Sequence, residues 1–142
     1  MSGDGAPPIS GILETSLYVA EMARAVAFYE GLLGLRCMVR GERLTSFDAG
    51  RQGVVLLFQR GTTAEDIHGK GGVIPGHEGA GRLHMAFAIP AESYEPWRAR
   101  LAAAGVNLLG EMRWPAGGRS LYFADPDGHV LEFATPGLWA NY

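Results

Sequence analysis

The chain has 142 residues, of which 47% are apolar and 19% charged, enough apolar material for one globular core. The 12 Lys and Arg against 15 Asp and Glu leave a net charge of −3, which gives no general attraction for nucleic acid or an anionic membrane. Cys37 is the sole cysteine, so no intrachain disulfide can form and a reducing, cytoplasmic setting is expected. No apolar run approaches the length of a membrane span. Residues 1–8 carry Gly and Pro without an apolar signal core and read as a loose tail.

Residues 12–19 read as a strand. Leu13, Leu17 and Val19 fall on one face, Glu14 and Ser16 on the other. Residues 21–33 read as a helix with Met22, Val26, Tyr29 and Leu33 as its buried stripe, and Gly34 stops it. Short strands follow at 35–39 and 44–47, then a turn over 48–53 and a continuous apolar strand at 54–58. Residues 60–82 are glycine-rich and aperiodic. They read as a linker folded over a cavity mouth, with His77, after Pro75-Gly76, as a residue reaching the cleft and His68 as a solvated loop histidine.

The second half repeats the first. Residues 83–89 alternate strictly: Leu83, Met85, Phe87 and Ile89 are large and apolar, while His84, Ala86 and Ala88 leave open space around one imidazole. A helix over 91–104 carries Tyr94, Trp97, Leu101 and Ala104 inward and stops at Gly105. A strand at 106–109, a turn region at 112–118 and a strand at 119–123 come next, the last placing Ser120 and Tyr122 on one face. Asp125-Pro126-Asp127-Gly128 is a tight turn by its residue types. His129 is expected to be exposed beside it. The closing strand ends near Ala134, with Glu132 opposite Leu131 and Phe133.

The strands at 13–19 and 83–89 align without gaps, and so do the two closing hairpins. The expected fold is therefore α+β: two βαβββ modules, residues 10–59 and 83–136, related by a pseudo-two-fold axis. The alignment makes Glu14, Leu56, His84 and Glu132 equivalent positions. A lone strand histidine is usually core and a lone strand glutamate usually solvated. Three metal-ligand types at equivalent positions are a stronger signal, because two carboxylates buried without a cation would be costly. One imidazole and two carboxylates suit a divalent ion such as Mn2+, Fe2+, Ni2+, Zn2+ or Mg2+, acting as a Lewis acid on a substrate oxygen. Glu14 is a candidate base and Tyr122 a candidate donor to developing oxyanion charge. A metal-free polar pocket is the competing reading.

The residues Tyr18-Val19, Ala27-Phe28-Tyr29-Glu30 and Leu33-Gly34-Leu35, with His84 and the run from Tyr122 to Glu132, resemble the vicinal-oxygen-chelate superfamily of glyoxalases, bleomycin-resistance proteins and extradiol dioxygenases. The resemblance spans residues 9–136. It implies a curved sheet around a cleft, a homodimer, metal ligands at Glu14, His84 and Glu132, and a small oxygen-rich substrate handled by a lyase, isomerase, transferase or dioxygenase. It also allows a metal-free binder of the bleomycin-resistance type. Leu56 stands where glyoxalase I has a fourth ligand, which argues against that activity. The likeness to the fosfomycin thiol transferases adds Ser16, Ser120 and Tyr122 as pocket-lining residues, and Arg119 with Arg113 is the available basic pair. The apolar strand 54–58 is expected to be an edge covered by a second copy.

Overall fold

The computed structural model describes residues 5–142, so residues 1–4 of the expected tail lie outside the described residues. The first module runs β1 (Glu14–Val19), α1 (Met22–Val26) continuing as a π-helical segment (Ala27–Leu32), β2 (Arg36–Val39), β3 (Leu44–Asp48) and β4 (Val54–Gln59). A small hairpin, β5 (Ile67–Gly69) and β6 (Gly72–Ile74), lies in the connection. The second module runs β7 (His84–Ala88), a 3-10 turn (Ala91–Ser93) leading into α2 (Tyr94–Ala103), β8 (Leu108–Arg113), β9 (Arg119–Ala124) and β10 (Val130–Ala134).

The sheets have matching orders, β1-β4-β3-β2 and β7-β10-β9-β8. In each, the first strand pairs in parallel with the last, and the registers correspond. Glu14 lies opposite Val54 and Ser16 opposite Leu56; His84 lies opposite Val130 and Ala86 opposite Glu132. Glu14 and His84 are thus equivalent, as are Leu56 and Glu132. Gly34 and Gly105 end the two helices with φ of 73° and 70°, a left-handed turn that glycine adopts without steric cost.

Four expectations are corrected. The first helix widens at Ala27: the Leu33 N–H reaches the Phe28 carbonyl at 3.0 Å instead of the residue four back. Both Phe28 and Tyr29 then turn toward the core, a change that apolar spacing alone does not reveal. The strand 54–58 is interior, between β1 and β3, which is why it is apolar throughout. The edges are β1, β2, β7 and β8. Strand β8 runs on through Arg113 rather than ending at 109, because an exposed edge strand need not alternate. The connection carries a hairpin whose apolar residues Ile67, Val73 and Ile74 are exposed.

One core serves both modules. Leu17, Val19, Val55 and Leu57 from the first sheet join Met85, Leu121, Leu131 and Phe133 from the second, with Tyr29 and Leu101 from the helices. Polar contacts reinforce this junction. Tyr29 donates its hydroxyl to Asp125 Oδ2 at 2.7 Å, and Asp125 Oδ1 accepts from the Asp127 and His129 amides. Asp127 Oδ1 accepts from the Ala20 amide at the entrance to α1. His129, expected at the surface, is fully buried. The Leu83 amide donates to its Nδ1 at 3.0 Å, so Nε2 carries the proton that it gives to the Tyr18 carbonyl at 2.7 Å.

Burial, and then the nearby Asp125 carboxylate, pushes the Tyr29 phenol far above its ordinary pKa near 10. The native chain therefore keeps this proton where the unfolded chain loses it. The stabilisation is complete below about pH 10 and declines above it, by about 1.4 kcal/mol per pH unit for one retained proton. Denaturant melts between pH 9 and 11 should show that slope in the parent. Tyr29→Phe should flatten it; an unchanged slope in the variant would assign the alkaline loss elsewhere.

Candidate metal centre

The shared core decides where the candidate ligands point. Leu17 and Val19 are turned into it, so alternation turns Glu14, Ser16 and Tyr18 away. Met85 and Ile89 are turned into it, so His84, Ala86 and Ala88 also face outward. Residues directly opposite across a sheet share a face, which adds Glu132 and Tyr122, paired in register, and Ser120 opposite Ala134.

On this face of the second sheet, His84 Nε2 lies 3.3 Å from Glu132 Oε1. The His84 Nδ1 is 2.8 Å from the Val130 carbonyl, an oxygen that can only accept, so Nδ1 carries a proton and the neutral ring presents its lone pair at Nε2. Ligating histidines are commonly held this way. Glu132 is 5% exposed, and Ser120 donates to its Oε2 at 2.5 Å. Two ligand atoms each about 2.1 Å from one ion, at angles between octahedral and tetrahedral, sit about 3.0–3.4 Å apart. The His84–Glu132 spacing and donor types fit a divalent ion.

Tyr122 stands beside this pair, its ring centre 6.2 Å from that of His84. Burial first, and the Glu132 charge second, raise its phenol above the ordinary value, so it is a hydrogen-bond donor at neutral pH.

Glu14 does not join them. It is exposed at the start of β1, on the other sheet, and among the described residues no three His, Cys, Asp or Glu side chains of one chain gather to hold an ion. The expected convergence of Glu14, His84 and Glu132 is not met within a single chain, because both ligand-bearing faces look away from the common core. A cleft of about 280 Å3 between Ile12, Thr15 and Val54 on one side and Ala86 and Ala88 on the other is lined by none of the three.

The remaining expected site residues divide. Ser16 is half-buried on the same face as Glu14. His77 closes onto that sheet: its Nδ1 is hydrogen-bonded to the Tyr18 hydroxyl at 2.6 Å, and its ring meets Phe58 edge-on at 4.7 Å. The connection thus covers part of the first sheet's ligand face. Ser120 is fully buried and its hydroxyl is committed to Glu132, so it supports the site rather than lining it. Arg119 points to the opposite face, where it stacks over Tyr94 at 3.8 Å and pairs with Glu95 at 3.1 Å. Arg113 lies opposite it across the strands, on that same helix side. Alternation from Ser120 already places Arg119 there. Trp114, in the turn after β8, also reaches this cluster: its Nε1–H donates to Ser120 Oγ at 2.8 Å.

A family model described as the Glyoxalase/Bleomycin resistance protein/Dioxygenase superfamily matches residues 11–133. The chain belongs to this superfamily. Among glyoxalase-superfamily relatives, metallothiol transferase FosB of Bacillus licheniformis is 30% identical over 130 residues, covering 89% of this chain and 76% of its own. Glutathione transferase FosA of Serratia marcescens is 30% identical over 126 residues, covering 89% and 81%. The crystal structure of lactoylglutathione lyase from Agrobacterium tumefaciens superposes with a TM-score of 0.85 at 29% identity, covering 94% of this chain and 99% of that one. The α+β architecture of repeated modules is that of the superfamily. Among the described residues, no helix is long and apolar enough to cross a membrane.

Proposed function

We propose that this chain is a divalent-metal-dependent cytoplasmic enzyme of the glyoxalase superfamily that works as a homodimer on a small oxygen-rich molecule. His84 and Glu132 of one subunit and the partner subunit's Glu14 hold the ion. The observation that carries the reading is the His84–Glu132 pair: an Nε2 atom, oriented by the Nδ1 bond to Val130, 3.3 Å from a carboxylate oxygen. The dimer follows from the missing third ligand and from apolar side chains left exposed on and beside the edge strands. Ile12 is 87% exposed and Leu13 64%, while Met112 on β8 is 45% exposed. Ala86 and Ala88 are small and leave room beside His84 on the second sheet.

A divalent ion bound there would supply Lewis acidity toward a substrate oxygen. Tyr122 donates a hydrogen bond to negative charge developing on that oxygen, and Ser16 offers a second polar contact from the facing sheet. The partner subunit's Glu14 is the carboxylate placed to accept a proton. His77 screens the first sheet's face from water. The names of the relatives point to transfer of a thiol onto a small electrophile as the reaction class. Among the described residues, the strand face that carries His84 and Glu132 has no Lys or Arg, since Arg113 and Arg119 lie on the helix side of the sheet. A substrate with little negative charge therefore fits that wall better than a dianion.

Metal content tests the reading. Parent protein purified without chelator should carry about one divalent ion per chain, and Glu132→Ala should carry almost none at unchanged fold by circular dichroism. Parent that holds no ion after incubation with Mn2+, Ni2+ or Zn2+ would refute it, leaving a metal-free binder in which His84 and Glu132 hydrogen-bond the ligand.

A further inference from the structure

We infer that Trp114 is a positioning residue for the Glu132 carboxylate, acting through the Ser120 hydroxyl. The direction of each bond is set by which groups can donate. An indole N–H only donates, and a serine hydroxyl has one proton and accepting lone pairs. Trp114 Nε1 lies 2.8 Å from Ser120 Oγ, so the indole fills an accepting site of that oxygen. The serine proton must then point elsewhere, and Glu132 Oε2 at 2.5 Å accepts it. The relay therefore has one direction: indole to hydroxyl to carboxylate. Its last link is charge-assisted, and each bond polarises the next.

The consequence lies at the other carboxylate oxygen. With Oε2 tied to Ser120, the carboxylate cannot rotate freely, and Oε1 is the oxygen turned to His84 Nε2. Ser120 is fully buried and Glu132 is 5% exposed, so bulk water does not compete for Oε2. Given the proposed function, Oε1 is the available ligand atom, and Trp114 is part of what makes it so.

The indole is itself held in place. The Trp114 amide donates to the Gly118 carbonyl at 2.8 Å, and the Gly117 amide donates back to the Trp114 carbonyl at 2.9 Å, closing the turn between β8 and β9. The Gly118 amide donates to the Gly137 carbonyl. The two backbones approach so closely that a β-carbon on Gly118 would lie 2.7 Å from the Gly137 carbonyl carbon. The C-terminal segment thus clamps the turn that carries Trp114. The main chain of Ser120 is fixed separately, its carbonyl accepting from the Tyr94 hydroxyl at 3.2 Å.

A packing role for the ring is the alternative, and Trp114→Phe separates the two because it keeps an aromatic ring and removes the N–H. Two readouts are needed, since the metal role of Glu132 rests on the proposed function. The first uses metal-free protein labelled with 15N at tryptophan. Glu132→Gln should move the Trp114 indole N–H resonance and speed its exchange when Ser120 is present, and do neither in a Ser120→Ala background. The second is Mn2+ affinity. Trp114→Phe should weaken it by about 10-fold, in the range for an outer partner of a ligand, and should cost nothing further when Ser120 is already alanine. An indole resonance blind to Glu132 overturns the relay, as does a Trp114→Phe cost that persists in full without Ser120. Coupling seen by the indole together with parent protein that binds no Mn2+ upholds the positioning role and refutes the metal function instead.

Discussion

Glu14→Ala chains mixed in equal amounts with His84→Ala chains, then dissociated and allowed to reassociate, are expected to recover metal that neither variant holds alone. Each variant by itself lacks one of three ligands at every site. Its loss should exceed the roughly 10- to 100-fold cost typical of removing an outer partner. In a mixed dimer the arithmetic changes if each site takes Glu14 from one chain and His84 with Glu132 from the other. One of its two sites then lacks both residues, and the other is complete. Random pairing makes half of the dimers mixed, so about one quarter of all sites should be restored. The basis is geometric: the two ligand faces of one chain look away from a common core, so Glu14 cannot reach the His84–Glu132 pair on its own chain without dismantling that core. A site assembled within one chain predicts no recovery at all. Equilibrium dialysis against Mn2+ before and after mixing distinguishes the outcomes, and mass spectrometry of the native assembly counts the mixed dimers.

The repeat was legible because burial imposes it on residue types. Leu83, Met85, Phe87 and Ile89 alternate with His84, Ala86 and Ala88 since one side meets the core and the other does not, and β1 obeys the same rule. That alternation puts Glu14, His84, Tyr122 and Glu132 on the sheet faces turned away from the core, where the structure has them. It could not say which way two such faces are turned relative to each other, because a period of two fixes a side of a strand and nothing beyond the sheet. Arg119 was misplaced for want of applying the rule: its neighbour Ser120 fixes it to the helix side. His129 escaped because a buried imidazole with both nitrogens satisfied by backbone groups leaves no trace in the local pattern. Trp114 escaped because its partner is chosen by the turn that carries it, and turn residues have no periodicity to read. Strand β8 was cut short for a related reason: all six of its residues are exposed, so no apolar signal marks its course.

The Asp-Pro-Asp-Gly turn supports the largest stability prediction. Asp125 is 5% exposed and accepts three hydrogen bonds: from the Tyr29 hydroxyl in the first module, and from the amides of Asp127 and His129 in its own turn. Asp125→Ala strands all three donors, of which the phenol is the most deeply enclosed. The expected loss is about 3 kcal/mol, given roughly 1–3 kcal/mol for each buried polar group left unpaired and partial relief from no longer burying a charge. That is a large share of the roughly 5–15 kcal/mol by which a domain of this kind is stable. Tyr29→Phe should cost less, about 1.5–3 kcal/mol, because it removes one bond to a carboxylate that keeps two others. The double variant decides whether the turn locks the modules together. If the hydroxyl and the carboxylate act on each other across the junction, its cost falls short of the sum by about 1–2 kcal/mol. Urea melts of the four proteins at neutral pH give the cycle. Strict additivity would mean that Asp125 stabilises only its own turn, and the union of the two modules would then rest on the shared apolar core and on the other polar bridges, among them His129 between Leu83 and Tyr18, Asp127 to Ala20 and Arg100 to the Leu32 carbonyl.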